Sequence, residues 1–206
     1  MDDYIVLVQT ESVPGRAFTD PEQNVEDMAA LRHMLARLRH RLSQPEGVPA
    51  NPRPLVLNVP EADGRGHRIV LANPERLQAA SALALVGFFG QKRAGVDPTP
   101  LTKVDDELIG EFPRHPGVLC YSSLEGKGGN WGNLVVLDSS GAGEHWKTSA
   151  KHAYAARELA PGYYTTIRLH NGLLATGLMS DHDLILLRTK YYDFQGESPW
   201  RAVREF

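Results

Sequence analysis

The chain has 206 residues, of which 42% are apolar and 23% are charged, and its net charge at pH 7 is −3. This is the composition of a globular protein long enough to bury its own core. Because basic residues are not in excess, we expect no nucleic-acid partner. The longest apolar run, residues 83–89, is too short to cross a bilayer, and the first residues are acidic where a signal peptide is basic. We therefore predict a cytoplasmic protein without a membrane segment.

Cys120 is the only cysteine of the sequence, which excludes an internal disulfide and a thiolate-rich metal site. It lies in an apolar run typical of a strand, so we predict a small buried side chain rather than a nucleophile. No other residue pattern predicts a metal site.

The first part of the chain alternates strand and helix signals. Residues 4–10 are β-branched and apolar, which predicts a buried strand, and residues 24–42 carry leucines at helical spacing, which predicts a helix. The proline-rich residues 45–54 predict a loop. A hairpin within residues 55–72 and a short helix at residues 74–82 are predicted to follow.

The second part has a clearer pattern. Strands are predicted at residues 83–92, 118–124, 131–138, 163–170 and 184–190, helices at residues 102–115 and 140–159, and a turn at Asn171-Gly172. From residue 83 to residue 170 this spells β-α-β-β-α-β, the order of a ferredoxin-like module. We therefore predict an α+β fold with two segments. Residues 1–82 form a partial or diverged ferredoxin-like half, and residues 83–206 form a ferredoxin-like module with a C-terminal tail.

A loose motif lies in the second predicted helix. After the apolar strand 131–138 and a short acidic-serine turn, Trp146, Ser149 and His152 follow a W-x-x-S-x-x-H pattern. This region resembles the dimeric α+β barrel superfamily, which includes the antibiotic-biosynthesis monooxygenases. The resemblance covers about half of the chain.

The resemblance implies a ferredoxin-like fold and a homodimer more firmly than it implies a reaction. Members of the superfamily include cofactor-free oxygenases, haem-degrading enzymes, decarboxylases and proteins with no known activity. Haem-degrading members usually carry an aromatic residue at the end of the third strand, where this chain has Leu137. No cofactor is therefore predicted, and haem is the disfavoured alternative.

The helix predicted at residues 140–159 supplies the first candidate site. His145, Ser149 and His152 lie at helical spacing that places them on one face, where imidazoles and a hydroxyl could transfer protons beside a cavity. Trp146 is an anchor for packing and a candidate substrate contact. The alternative is that His145 is solvated and that His152 bonds a backbone carbonyl.

The strand predicted at residues 163–170 supplies the second candidate site. Strict alternation places Tyr164, Thr166, Arg168 and His170 on one face, which is unusually polar. Facing a cavity, Arg168 could neutralise an anion, His170 could transfer a proton and Tyr164 could contact a substrate. Facing water, the same residues would be the ordinary polar side of an antiparallel sheet.

Two other polar patterns have simpler explanations. Asn133 could hold a substrate oxygen, although an asparagine near the start of a strand more often bonds its own loop. The acidic run 105–107 lies near the start of a helix, where negative charge is favoured by the helix dipole.

Two classes of function follow from these observations. The first is a monooxygenase-like enzyme for an aromatic or polyketide-like substrate, with His152 as base and Arg168 or His170 stabilising charge. The second is a non-catalytic dimeric barrel that binds a ligand or only provides an interface. A cavity lined by His152 and Arg168 would favour the enzyme, and a solid core would favour the second class.

A homodimer is predicted on physical grounds as well, because an open sheet has a second face that needs cover. In the C-terminal tail, Trp200, Val203 and Phe206 recur at three-residue intervals, and we expect this apolar stripe to lie across the partner.

Overall fold

A computed structural model describes residues 4–44 and 53–206, and within them the dominant feature is one nine-stranded sheet. The strands are β1 (Ile5–Leu7), β2 (Leu55–Asn58), β3 (His67–Leu71), β4 (Leu83–Lys92), β5 (Val118–Glu125), β6 (Trp131–Leu137), β7 (Tyr164–Leu174), β8 (Ile185–Asp193) and β9 (Trp200–Glu205). Their order across the sheet is β1-β9-β8-β7-β4-β6-β5-β3-β2. The proline-rich loop predicted at residues 45–54 lies mostly outside the described residues.

Helices connect these strands. They are α1 (Pro21–Leu42), α2 (Pro74–Ala79), α3 (Thr99–Ile109), α4 (Ser140–Trp146), α5 (Ala150–Tyr154) and α6 (Ala160–Tyr163), with a π-helical turn at Ala155–Leu159 between α5 and α6. None of the described helices is long and apolar enough to pass through a bilayer.

The centre of the sheet confirms the predicted ferredoxin-like module. Strands β7, β4, β6 and β5 are neighbours in this order, and each pair is antiparallel. In the order of the chain this is strand 4 beside 1, then 3, then 2, which is the pairing produced by two β-α-β crossovers. The protein therefore has the predicted α+β fold.

The strands of the first 82 residues join the two ends of the same sheet. β1 runs parallel to β9 at one end, while the β2-β3 hairpin adds to β5 at the other. A second ferredoxin-like module would require β1 to pair with a strand of this hairpin, and β1 does not do so. Separate units at residues 1–82 and 83–206 stay a prediction.

Helix α1 covers one face of the sheet, which we call the α1 face. Asp20 caps the helix through Glu22 N (2.9 Å), Pro21 occupies its first position, and basic residues fill its last turn. Its apolar stripe packs on the inward side chains of five central strands, among them Leu85, Leu134 and Val136. The open face that motivated the homodimer is thus covered within the chain.

The opposite face carries α3 to α6. Ile109 and Phe112 from the first crossover, and Ala142 and Trp146 from the second, pack on Val70, Val118 and Leu137. The prediction that both crossover helices lie on one face is confirmed. Cys120 is fully buried between strands, and burial raises the pKa of its thiol, as expected of an inert side chain.

Four local predictions were wrong. The strand predicted to be buried over residues 4–10 is limited to Ile5–Leu7 at the end of the sheet, where Ile5 and Val6 are exposed. β7 continues through Asn171-Gly172 to Leu174, with a bulge where a turn was expected. The helix predicted at residues 140–159 is interrupted after Trp146, because Ser149 caps a new helix. The C-terminal tail forms β9, which pairs with β8 and β1 inside the chain instead of lying across a partner.

Candidate functional site

A cavity of about 1440 Å³ lies between the sheet and helices α3 to α6. We call this side of the sheet the cavity face. The sheet contributes alternate residues of its central strands, including Val86, Val135 and Leu169, and the helices contribute Leu101 and Ala156. Most of the lining surface is apolar, as is usual for a small-molecule site, and polar and charged side chains such as Arg68, Asp105 and Lys147 also line it.

His152 borders this cavity from the first turn of α5. Its ring is half-buried and packs against the Trp146 indole, with ring centroids 5.5 Å apart. Burial, the Lys147 charge and His115 lower the pKa of His152, so its imidazole is neutral at pH 7. Among the described residues its ring nitrogens have no hydrogen-bond partner, and the imidazole is free to accept a proton.

The break between α4 and α5 separates the three residues that were expected to share one helical face. Ser149 accepts from His152 N (3.2 Å) and donates to Glu111 Oε2 (2.5 Å), so its hydroxyl is occupied by capping and does not line the cavity. His145 contacts the His115 ring through the two Nδ1 atoms (3.1 Å). The motif therefore brings Trp146 and His152 to the cavity and leaves Ser149 and His145 outside it.

Arg168 and His170 lie on the α1 face, away from His152. Arg168 donates from Nε and Nη2 to the Asp27 carboxylate of α1 (2.5 and 2.9 Å), and His170 Nε2 is 2.8 Å from Asp27 Oδ2. The other His170 nitrogen bonds Thr189 Oγ1 (2.8 Å). This corrects the prediction of one site formed by His152, Arg168 and His170, because alternation along β7 turns the latter two to the opposite face.

Every member of this network is hydrogen-bonded to another member. His170 and Thr189 are at most 1% exposed, and Asp27 is 4% exposed. Burial alone would raise the pKa of Asp27, but the hydrogen bonds from Arg168 and His170 outweigh it and lower the value. No substrate can reach the imidazole, and the network ties α1 to β7 and β8.

Tyr164 lines the cavity, although strict alternation assigned it to the face of Arg168. The cause is a register shift, since Lys92 pairs with Tyr164 where Gln91 pairs with Thr166. The ring packs on Phe88 (5.3 Å between centroids) and over Gly90, where a Cβ would lie 2.4 Å from the ring. Burial raises the pKa of Tyr164, so its hydroxyl is a neutral donor.

Asn133 also lines the cavity, from the middle of β6 between Phe88 and Ser123 on the neighbouring strands. Of the predicted site residues, the structure thus brings four to one cavity: His152, Trp146, Tyr164 and Asn133.

A polar cluster at the α3 end of the cavity was missed by the sequence analysis. Asp105 accepts from the Tyr121 hydroxyl (2.9 Å) and pairs with Arg68. All three line the cavity. The acidic run was attributed to the helix dipole, and only the pairing of β3 with β5 places Arg68 beside Tyr121.

Comparison with known proteins gives limited similarity. No protein-family model matches the chain, and no curated protein matches it. Two solved structures are similar over 46% of this chain and 92% of their own. Protein SO0527 from Shewanella oneidensis has 11% identity and a TM-score of 0.40, and SnoaB, a cofactor-independent oxygenase from Streptomyces nogalater, has 18% identity and a TM-score of 0.35. Similarity at this level does not assign an activity.

Proposed function

We propose that the cavity binds an aromatic or polyketide-like molecule and that the protein is a cofactor-free, monooxygenase-like enzyme with His152 as its base. The observation that carries the proposal is the cavity itself, which is large, mainly apolar and bordered by a neutral imidazole without a described partner. Trp146, Tyr164 and Phe88 line the cavity, and aromatic side chains of this kind suit a planar polycyclic substrate.

The proposed reaction begins when His152 removes a proton from an activated CH₂ group of a phenolic substrate. The resulting carbanion passes an electron to O₂, and recombination forms a C–O bond and a hydroperoxide after the proton is returned. Loss of water gives a ketone. In balance, R₂CH₂ and O₂ yield R₂C=O and H₂O, so the substrate supplies all the electrons.

The negative charge that develops on the substrate needs a stabilising group on the cavity face, because Arg168 and His170 lie on the α1 face. Asn133 can donate an amide N–H from β6. Lys147 also lines the cavity, and its positive charge lowers the pKa of His152. These two groups replace Arg168 and His170 in the proposal.

The test is aerobic incubation with a tricyclic phenolic ketone carrying an activated CH₂ group, followed with an oxygen electrode and by mass spectrometry. We expect O₂ uptake and a product with one oxygen atom more and two hydrogen atoms fewer. His152→Gln should lower the rate at least about 100-fold, the usual contribution of a general base. His182→Gln, which changes an exposed histidine outside the cavity, should leave it unchanged. Equal rates for both variants would contradict the role of His152.

The second candidate function is ligand binding without catalysis, which the same cavity supports. It predicts that the aromatic probe binds at the cavity with no O₂ uptake above the rate of the probe alone. Binding without turnover, in wild type and His152→Gln alike, would favour this candidate.

We also propose a homodimer, now through a different surface from the one first expected. Large apolar side chains are exposed at the β1 end of the sheet, where Val6 and Val8 are 73% and 67% exposed and Leu187 is 40% exposed. A second copy would cover them. Light scattering should return twice the chain mass, and Val6→Lys should shift it to the monomer. A monomer for the wild type at micromolar concentration would contradict this.

A further inference from the structure

At the edge of the α1 face, three side chains with metal-binding atoms converge. His33 comes from α1, Glu61 from the connection between β2 and β3, and His67 from the start of β3. One ligand atom from each lies within 4.8 Å of the other two. We propose that His33, Glu61 and His67 form a binding site for a divalent transition metal of the zinc class.

Both imidazoles already contact the Glu61 carboxylate, each through a different oxygen. Glu61 Oε2 lies 3.0 Å from His33 Nε2, and Glu61 Oε1 lies 2.6 Å from His67 Nδ1. Ligand atoms about 2.1 Å from a tetrahedral zinc ion are roughly 3.4 Å apart. The three groups therefore need shifts of only about an ångström to enclose an ion. Two imidazoles and one carboxylate are a donor set that zinc accepts, with a fourth position left for water.

The surroundings support a metal ligand at His67. Its side chain is fully buried, and its other nitrogen, Nε2, lies 2.9 Å from Ser122 Oγ on β5. Such an outer partner fixes the orientation of a ligating imidazole. His33 is at the rim, with 38% of its side chain exposed, so an ion can enter from solvent.

Arg37 is a positive charge close to the site, with Nε 3.3 Å from Glu61 Oε1. Its Nη2 donates to the Pro60 carbonyl (2.8 Å), which anchors the guanidinium on the side of Oε1. Oε2 is hydrogen-bonded to His33, and a bound ion would replace that bond with one contact to each of the two groups. Arg37 can thus stay paired with one carboxylate oxygen while the other binds the metal.

Bound metal would join helix α1 to the connection before β3 and to the start of β3. The ligands lie 28 and 6 residues apart, a spacing that matches no metal motif, so the site is visible only in the fold. Because the ion binds the folded chain, it should also raise the melting temperature.

The test is titration of chelator-treated full-length protein with Co²⁺, whose visible absorption reports tetrahedral binding, followed by competition with Zn²⁺. We expect one saturable site and a higher melting temperature with Zn²⁺. His33→Ala and Glu61→Gln should each weaken binding at least about tenfold, since each loses a direct ligand. Circular dichroism checks that the variants are folded, and His33 at the rim is the variant expected to fold most readily.

The matched control is His40→Ala, which removes an exposed histidine from the same helix. It should bind Co²⁺ as the wild type does. Absence of a saturable absorption band, equal binding by folded His33→Ala and wild type, or an equal loss in His40→Ala would each overturn the proposal.

Discussion

The two faces of the sheet differ in whether their polar side chains are hydrogen-bonded within the protein. On the α1 face, Asp27, His170 and Thr189 are buried, Arg168 is mostly buried, and all four are hydrogen-bonded within one network. On the cavity face, His152 has no described hydrogen-bond partner and borders open space. A continuous helix closes the first face, whereas short helices broken at Ser149 and at a π-helical turn cover the second.

The difference shows that one strand can contribute side chains to a stabilising network on one face and to a cavity on the other. Along β7, Arg168 and His170 face α1, while Leu169 faces the cavity. Polar residue types alone do not reveal which face is functional. The useful signal is a polar group whose hydrogen-bonding capacity is unused, since buried groups with structural roles are normally satisfied. Four predictions test this division.

The largest effect is expected from Asp27→Ala on the α1 face. The substitution leaves the mostly buried Arg168 without its counter-ion and the buried His170 without its partner, and removing one partner of a buried pair costs about 3–5 kcal/mol. Urea denaturation should show this loss in the free energy of unfolding. Asp183→Ala is the control, because it breaks an exposed pair with Arg32 and should cost at most about 1 kcal/mol. Similar losses for the two variants would contradict a structural role for the buried network.

A smaller effect separates two glycines of β4. A Cβ at Gly87 would lie 2.8 Å from Leu31 Cδ1 of α1, in a packed core, whereas a Cβ at Gly90 would meet the Tyr164 ring at the cavity. Gly87→Ala should lower the free energy of unfolding by about 1–3 kcal/mol. Gly90→Ala should cost less, because the ring can move into open space. Both values come from urea denaturation, and a greater loss for Gly90→Ala would show that Tyr164 is held rigidly.

These comparisons also define what the sequence could predict. The ferredoxin-like order and the apolar stripes of α1 and α3 were readable, because each depends on local periodicity. Strict alternation misplaced Tyr164, because a bulge depends on the pairing of β4 with β7. The direction of Arg168 required knowing that an acidic residue 141 positions away lies opposite it, and such contacts between distant residues have no local signal.

The smallest effect concerns pH and His152. Its folded-state pKa is lowered from 6.5 by burial, so the unfolded chain takes up the proton more readily as pH falls below about 6.5. Its contribution to stability is therefore complete above that pH and is lost as pH falls towards the lowered value. Melting curves at pH 7.5 and 5.5 should differ less for His152→Gln than for the wild type. If the difference between the two pH values were the same in His152→Gln and in the wild type, the His152 imidazole would be solvated and its pKa would not be lowered.

The central claim is that the cavity face is the functional one, and ligand binding tests it most directly. Titration with a hydroxyanthraquinone, followed by the fluorescence of Trp131 and Trp146, which both line the cavity, should show one saturable site. Val135→Phe, which fills the cavity, should weaken binding at least about tenfold, equivalent to about 1.4 kcal/mol. Val56→Phe makes the same change at an exposed position of β2 outside the cavity lining and should bind as the wild type does. Absence of saturable binding, or equal affinity of the two variants, would contradict the account.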